Sequence, residues 1–130
     1  MLAHCVHLTD EDIKILSQGG ATAIHNPTSN LKLASGICQT DKLLKQGVNI
    51  SLGTDGASSN NNLNMFEEMH LAALLPKGTS LNPEVVNAYD TLKMATVNGA
   101  MACGRQNECG KLKPGYAADL IVIDTSKPHM

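Results

Sequence analysis

Four side chains that could move protons or hold a divalent metal stand where short apolar runs give way to polar segments. They are His4 and His7 near the start of the chain, His25 after residues 21–24, and Asp55 after residues 48–52. Imidazole and carboxylate do this work near neutral pH. Asp55 is the sharpest case. The stretch VNISLGTDGASSNNN, residues 48–62, delivers one carboxylate through Gly53-Thr54 into a segment too rich in Gly, Ser and Asn to pack as core. Asp-Gly is also the usual dipeptide of a two-residue hairpin turn. A hairpin needs a second strand, and here a helical pattern begins near Leu63 instead. Strand, polar loop, helix puts Asp55 at a strand's C-terminal edge, either as a residue that merely caps its loop or as an active-site acid.

Side chains alternate along a strand, so His4 shares a face with Val6 while His7 points the other way. The pair is not the H-x-H arrangement that places two imidazoles on one metal. His4 is the better candidate for the functional side, because His7 borders the next helix; a buried histidine can equally be a hydrogen-bonded core residue. Zinc takes about four ligands, of which about three come from protein at a catalytic site. Asp55, with His4 and His25 as further candidates, is too short an inventory. Either residues outside this sequence complete a metal site or there is none. Cys5, Cys38, Cys103 and Cys109 stand at irregular separations with no C-x-x-C pair. Cys103 and Cys109 have the look of a zinc knuckle without its second half, so all the cysteines read as small apolar residues.

The elements that must position these groups follow from the apolar pattern. A chain of 130 residues fits one domain, and with one Phe, two Tyr and no Trp its core must be aliphatic. A net charge of −2 without a basic stripe disfavours nucleic acid and membrane surfaces as partners. No signal peptide or long apolar span is visible, which points to a reduced, cytoplasmic setting. Residues 1–7 read as a strand that opens without a leader, like a cut through a larger protein. Thr9 and Asp12 form a capping box for a helix ended by Gly19-Gly20. Residues 21–25 are a second strand stopped by Asn26-Pro27, residues 28–36 a polar loop, and residues 39–46 a helix with Leu43 and Leu44 inward. Residues 48–52 are the third strand. Asn64 caps a further helix with Glu67 at the capping-box position, Met65, Met69 and Ala72 on one face, and Pro76 as its stop. Asn82-Pro83-Glu84 begins another, carrying Val85, Ala88, Leu92 and Ala95 inward. Residues 98–103 form a short helix ended by Gly104. Residues 120–123 read as a strand of a separate small sheet. Apolar strands alternating with helices predict an α/β fold with parallel strands. In such barrels catalytic groups sit at the strands' C-terminal ends.

Three motifs, AHCVHL at residues 3–8, HNPTSNLKLASG at 25–36 and SLGTDGASSNNNLNMFEEMHLAALL at 51–75, closely resemble the amidohydrolase superfamily. Within it, the best match is the deaminases of 5'-methylthioadenosine and S-adenosylhomocysteine. The resemblance covers essentially the whole chain in order. It implies that the chain is the C-terminal part, strands six to eight, of a (β/α)8 barrel over residues 1–104. The tail GKLKPGYAADLIVID, within residues 105–130, resembles the segment leading into a small β-sandwich domain. By the same resemblance, Asp55 is a metal ligand that also takes a proton from the attacking water, and His4 hydrogen-bonds that water. Ser59 lines the substrate pocket, and His25 and Asn30 shape its floor. The implied cofactor is a divalent metal, zinc first, and the implied substrate an adenosine thioether. The other metal ligands and the glutamate that protonates the ring would lie upstream of Met1. The expectation is therefore a chain that alone holds no metal tightly, is inactive, and meets either the missing part of its barrel or its own copies. Aminohydrolases and chlorohydrolases of guanine or triazine rings share similar motifs. A non-catalytic truncated module is the competing class.

Overall fold

The computed structural model describes residues 1–126. Its parallel strands β1 (Leu2–Ala3), β2 (Thr22–His25) and β3 (Asn49–Leu52) lie side by side in sequence order, Ala23 between Leu2 and Ile50, and His25 beside Leu52. Parallel neighbours require crossovers. Helix α1 (Asp10–Gln18) makes the first, and α2 (Pro27–Lys32) with α3 (Thr40–Lys45) makes the second. After β3 the chain continues through α4 (Ala57–Asn60), α5 (Met65–Ser80), α6 (Ala88–Ala95) and α7 (Val97–Ala102). The α/β architecture with parallel strands is the one expected from the apolar pattern.

The core joins Ala23, Val48, Ile50 and Leu52 of the strand region to Ile13, Leu43, Ala72, Val86 and Met94. It is built from aliphatic and sulfur side chains, and the single Phe66 is half exposed. Strand β1 is exposed at both residues. Asn98 of α7 donates to Ile50 O at 2.9 Å and accepts from Asn49 Nδ2 at 3.2 Å, tying the last helix to the edge of β3. No helix among the described residues is long and apolar enough to cross a membrane.

Helix α1 starts where the capping box sets it. Thr9 Oγ1 accepts from Asp12 N at 3.2 Å while Asp12 Oδ2 accepts from Thr9 N at 2.8 Å. Elsewhere tertiary contacts override local signals. Residues 28–36 are not simply a polar loop, since Pro27 both ends β2 and occupies the first turn of α2, where a missing N–H costs nothing. Pro76 does not stop α5, which runs on to Ser80 with Pro76 fully buried inside it. Asn64 caps α5 as expected, accepting from Phe66 N at 3.1 Å, but Glu67 makes no capping box and accepts from Asn62 Nδ2 at 2.8 Å instead. The helix expected from Asn82 begins at Ala88. Lys77 Nζ gathers the carbonyls of Pro83, Val85 and Val86 around one ammonium, and Asn87 with Asp90 forms the capping box that starts α6. Its inward face is Thr91 and Met94, with Ala88 and Leu92 exposed. Residues 120–123 form no strand. Nothing among the described residues pairs with them, and Ile121 and Ile123 rest instead beside Met65, Phe66, Met69 and Leu92.

Candidate active site

His4 follows directly after β1, and Asp55 comes shortly after β3, at the same edge of the sheet. Each has a left-handed backbone, with φ of 66° at His4 and 62° at Asp55. Histidine and aspartate tolerate this region better than most residues, yet it costs roughly 1–2 kcal/mol. Cys5 is also left-handed at 51°, so the chain turns at His4-Cys5 and the strand alternation expected to place His4 with Val6 does not extend that far. His4 N still donates to Ile24 O at 2.9 Å, which anchors the turn to β2.

The two side chains face each other, with His4 Nε2 4.0 Å from Asp55 Oδ2, and both are partly open to solvent. Each is oriented by a residue of α2. The His4 ring nitrogen Nδ1 bonds Asn30 Oδ1 at 2.8 Å. The amide oxygen can only accept, so Nδ1 is the donor in this contact and the ring turns its Nε2 edge toward Asp55. The Ser29 hydroxyl donates to Asp55 Oδ2 at 2.7 Å, and Gly56 N donates to Oδ1 at 2.8 Å. The Ser29 hydroxyl, then the Gly56 N–H, hold the Asp55 carboxyl below its ordinary value. The group is thus an anion ready to bind a cation or accept a proton.

The loops after β2 and β3 are laced together beneath this pair. Asn26 Nδ2 donates to Gly53 O at 2.9 Å, and Lys32 Nζ donates to Ser58 O at 2.9 Å. Gly53 sits so close to the neighbouring loop that a Cβ there would lie 2.8 Å from Asn26 Nδ2 and 3.2 Å from Ile24 Cγ2. Gly53→Ala is therefore expected to cost about 1–3 kcal/mol by overpacking, read as a lowered denaturation midpoint. An unchanged midpoint would mean the loops can part without loss.

The residues expected at the site are not all equally placed. His4, Asn30 and Asp55 are brought together. Ser59 lies in α4, with its hydroxyl donating to Gly56 O at 2.9 Å, on the same loop as Asp55. His25 is 1% exposed, and neither ring nitrogen has a hydrogen-bond partner among the described residues. Burial lowers its pKa to about 4. Sequence reading missed Ser29, whose hydroxyl holds Asp55, and Glu68. The serine's place inside the HNPTSN motif was the available signal.

As a metal centre the set is incomplete. It offers one carboxylate with an imidazole facing it, and no group of three or more His, Cys, Asp or Glu among the described residues could hold an ion.

Comparison with known proteins defines the setting. The family described as "Amidohydrolase family" matches residues 1–130. The chain belongs to the amidohydrolase family. This amidohydrolase chain is 59% identical over 128 residues to a 5-methylthioadenosine/S-adenosylhomocysteine deaminase of Acetivibrio thermocellus, covering 98% of the chain and 30% of that protein. It is 54% identical over 130 residues to a 5'-deoxyadenosine deaminase of Methanosarcina mazei, again covering 30% of the relative. Among solved structures, an adenosine deaminase from Xanthomonas campestris with bound zinc superposes with a TM-score of 0.87 at 40% identity, over 90% of the chain and 27% of that structure. An atrazine chlorohydrolase from Arthrobacter aurescens complexed with zinc gives 0.84 at 32%, over 90% and 26%. The amidohydrolase chain thus spans about 30% of the length of the curated relatives it matches.

Proposed function

We propose that this chain is the C-terminal part, strands six to eight, of the (β/α)8 barrel of a hydrolytic deaminase acting on an adenine-type ring. Residues 105–130 would lead into a small β domain. The preferred substrate class is 5'-methylthioadenosine and S-adenosylhomocysteine. The observation that carries the reading is the opposed pair His4 and Asp55 at the C-terminal ends of parallel strands, each oriented by α2. The substrate class rests on the 50–59% identity to deaminases of adenosine derivatives across nearly the whole chain. A triazine hydrolase and an Escherichia coli guanine deaminase also superpose well, at TM-scores of 0.84 and 0.78, so another ring aminohydrolase is the second reading. Their lower identities, 33% and 32%, place it behind the first.

In this reading water adds at the ring carbon that bears the amine, and ammonia departs. A divalent metal, zinc as in the neighbours, would be held in the completed barrel with Asp55 as one ligand, and would supply the acidity that lets that water react near neutral pH. Asp55 supplies one ligand atom and accepts a proton. His4, its Nδ1–H committed to Asn30, accepts a hydrogen bond at Nε2 and fixes the direction of attack. Ser59 and Asn30 border the pocket, and His25 packs beneath it. The ring's proton donor would come from outside this chain.

Joining this chain to the upstream part of the Acetivibrio thermocellus relative, in place of the 30% it matches, is expected to give an enzyme that releases ammonia from 5'-methylthioadenosine. The chain alone is expected to retain no stoichiometric zinc on dialysis and to deaminate nothing. Turnover by the chain alone, or a joined enzyme that prefers guanine, would overturn the proposal.

A further inference from the structure

Glu68 lies in the first turn of α5, is 0% exposed, and takes no part in the His4–Asp55 pair. A carboxylate carried out of water needs compensation, or its burial costs several kcal/mol. No Lys, Arg or His among the described residues forms an ion pair with it. Its compensation is local. Oε1 accepts from Asn60 Nδ2 at 2.7 Å and Oε2 accepts from Thr28 N at 3.2 Å, while the N-terminal end of α5 adds a favourable dipole.

Both bonds lead to Asp55. Thr28 precedes Ser29, the residue whose hydroxyl donates to Asp55 Oδ2 at 2.7 Å. Asn60, itself 3% exposed, gives its other amide hydrogen to Thr54 O at 2.7 Å, on the peptide that enters the left-handed Asp55. One carboxylate therefore holds the loop after β2 and the loop after β3 in a fixed relation, gripping the Asp55 side chain through one and its backbone through the other. An apolar residue would fill the same space but leave Thr28 N and the Asn60 amide without that acceptor.

We propose that Glu68 is a positioning residue for Asp55, acting through Asn60–Thr54 and through Thr28–Ser29, an inference that rests on the deaminase reading of the site. Its test uses Glu68→Gln, which keeps shape but turns one acceptor into an N–H donor, so that the amide must face either Asn60 Nδ2 or Thr28 N and break one link. Asn60→Ser cuts only the arm to the loop after β3 and serves if the first variant does not fold. In the 130-residue chain, the Gly56 amide resonance is expected to shift in Glu68→Gln, because its N–H is bonded to Asp55 Oδ1. In the joined enzyme, kcat for 5'-methylthioadenosine is expected to fall about 10- to 100-fold with little change in KM, measured well below the melting temperature. Glu67→Gln, on the exposed neighbouring residue, should leave both readouts in place. A Gly56 resonance that stays put, or a kcat per folded molecule that is unchanged, overturns the inference, since a purely structural glutamate would lower only the melting temperature. Should the joined enzyme with Glu68 intact be inactive, the deaminase reading fails, and the Gly56 resonance still decides the positioning.

Discussion

Asp55→Asn in the joined enzyme is expected to lower kcat for 5'-methylthioadenosine about 1,000-fold or more, with the protein still folded. Asparagine keeps the volume of aspartate and tolerates the left-handed region at least as well, so φ of 62° is not an obstacle. Its amide oxygen can still accept from Ser29 or from Gly56 N, the two donors that now occupy the carboxylate. What disappears is the negative charge and the ability to take a proton. A neutral amide is a weak ligand for a divalent cation and cannot serve as a base. The expected signature is therefore a lost rate with an almost unchanged melting temperature, read by ammonia release and the loss of adenine absorbance. Retention of more than about a tenth of the rate would remove Asp55 from the chemistry, because a general base alone contributes at least about a hundredfold.

The difference between Asp55 and Ser29 shows what a sequence discloses. Asp55 was visible because its carboxylate ends an apolar run and enters a Gly, Ser and Asn segment with no second strand after it. The strands β2 and β3 and the Thr9–Asp12 cap were visible for the same reason, since each depends on residues a few positions apart. Ser29 and Glu68 act across 26 and 40 residues, respectively, and local pattern does not report such distances. The misplaced start of α6 has the same cause. Asn82-Pro83-Glu84 is a good local start signal, but Lys77 reaches the carbonyls around it from the end of α5. Pro76 reads as a helix stop, and burial of its ring within α5 outweighs the lost N–H. Strand alternation fails at His4 because it presumes an extended backbone, and consecutive left-handed residues break that premise. The run at 120–123 has strand composition, yet a strand needs a partner to bond, and none is present among the described residues.

Acidification is expected to destabilise the chain in a window set by His25. An imidazole has an ordinary pKa of about 6.5, and burial lowers that of His25 to about 4. Above the ordinary value both folded and unfolded states hold a neutral ring, and the residue adds no pH dependence. As pH falls below about 6.5 the unfolded chain takes up a proton that the folded chain refuses, so stability is lost progressively until the folded ring also protonates near pH 4. A difference of this size corresponds to about 3 kcal/mol across the window. The carboxyls of Asp12, Asp55 and Asp90 are lowered from 3.8, first by hydrogen bonds from Thr9, Ser29 and Lys93 respectively, so their contribution is lost only at still lower pH. The two phases are thus separable in denaturant midpoints measured from pH 7 to pH 3. His25→Leu should abolish the upper phase and leave the lower one. Because neither ring nitrogen has a hydrogen-bond partner among the described residues, the variant should lose little stability at pH 7. A His25→Leu chain that keeps the slope between pH 6.5 and 4 would show that the ring is open to water in solution.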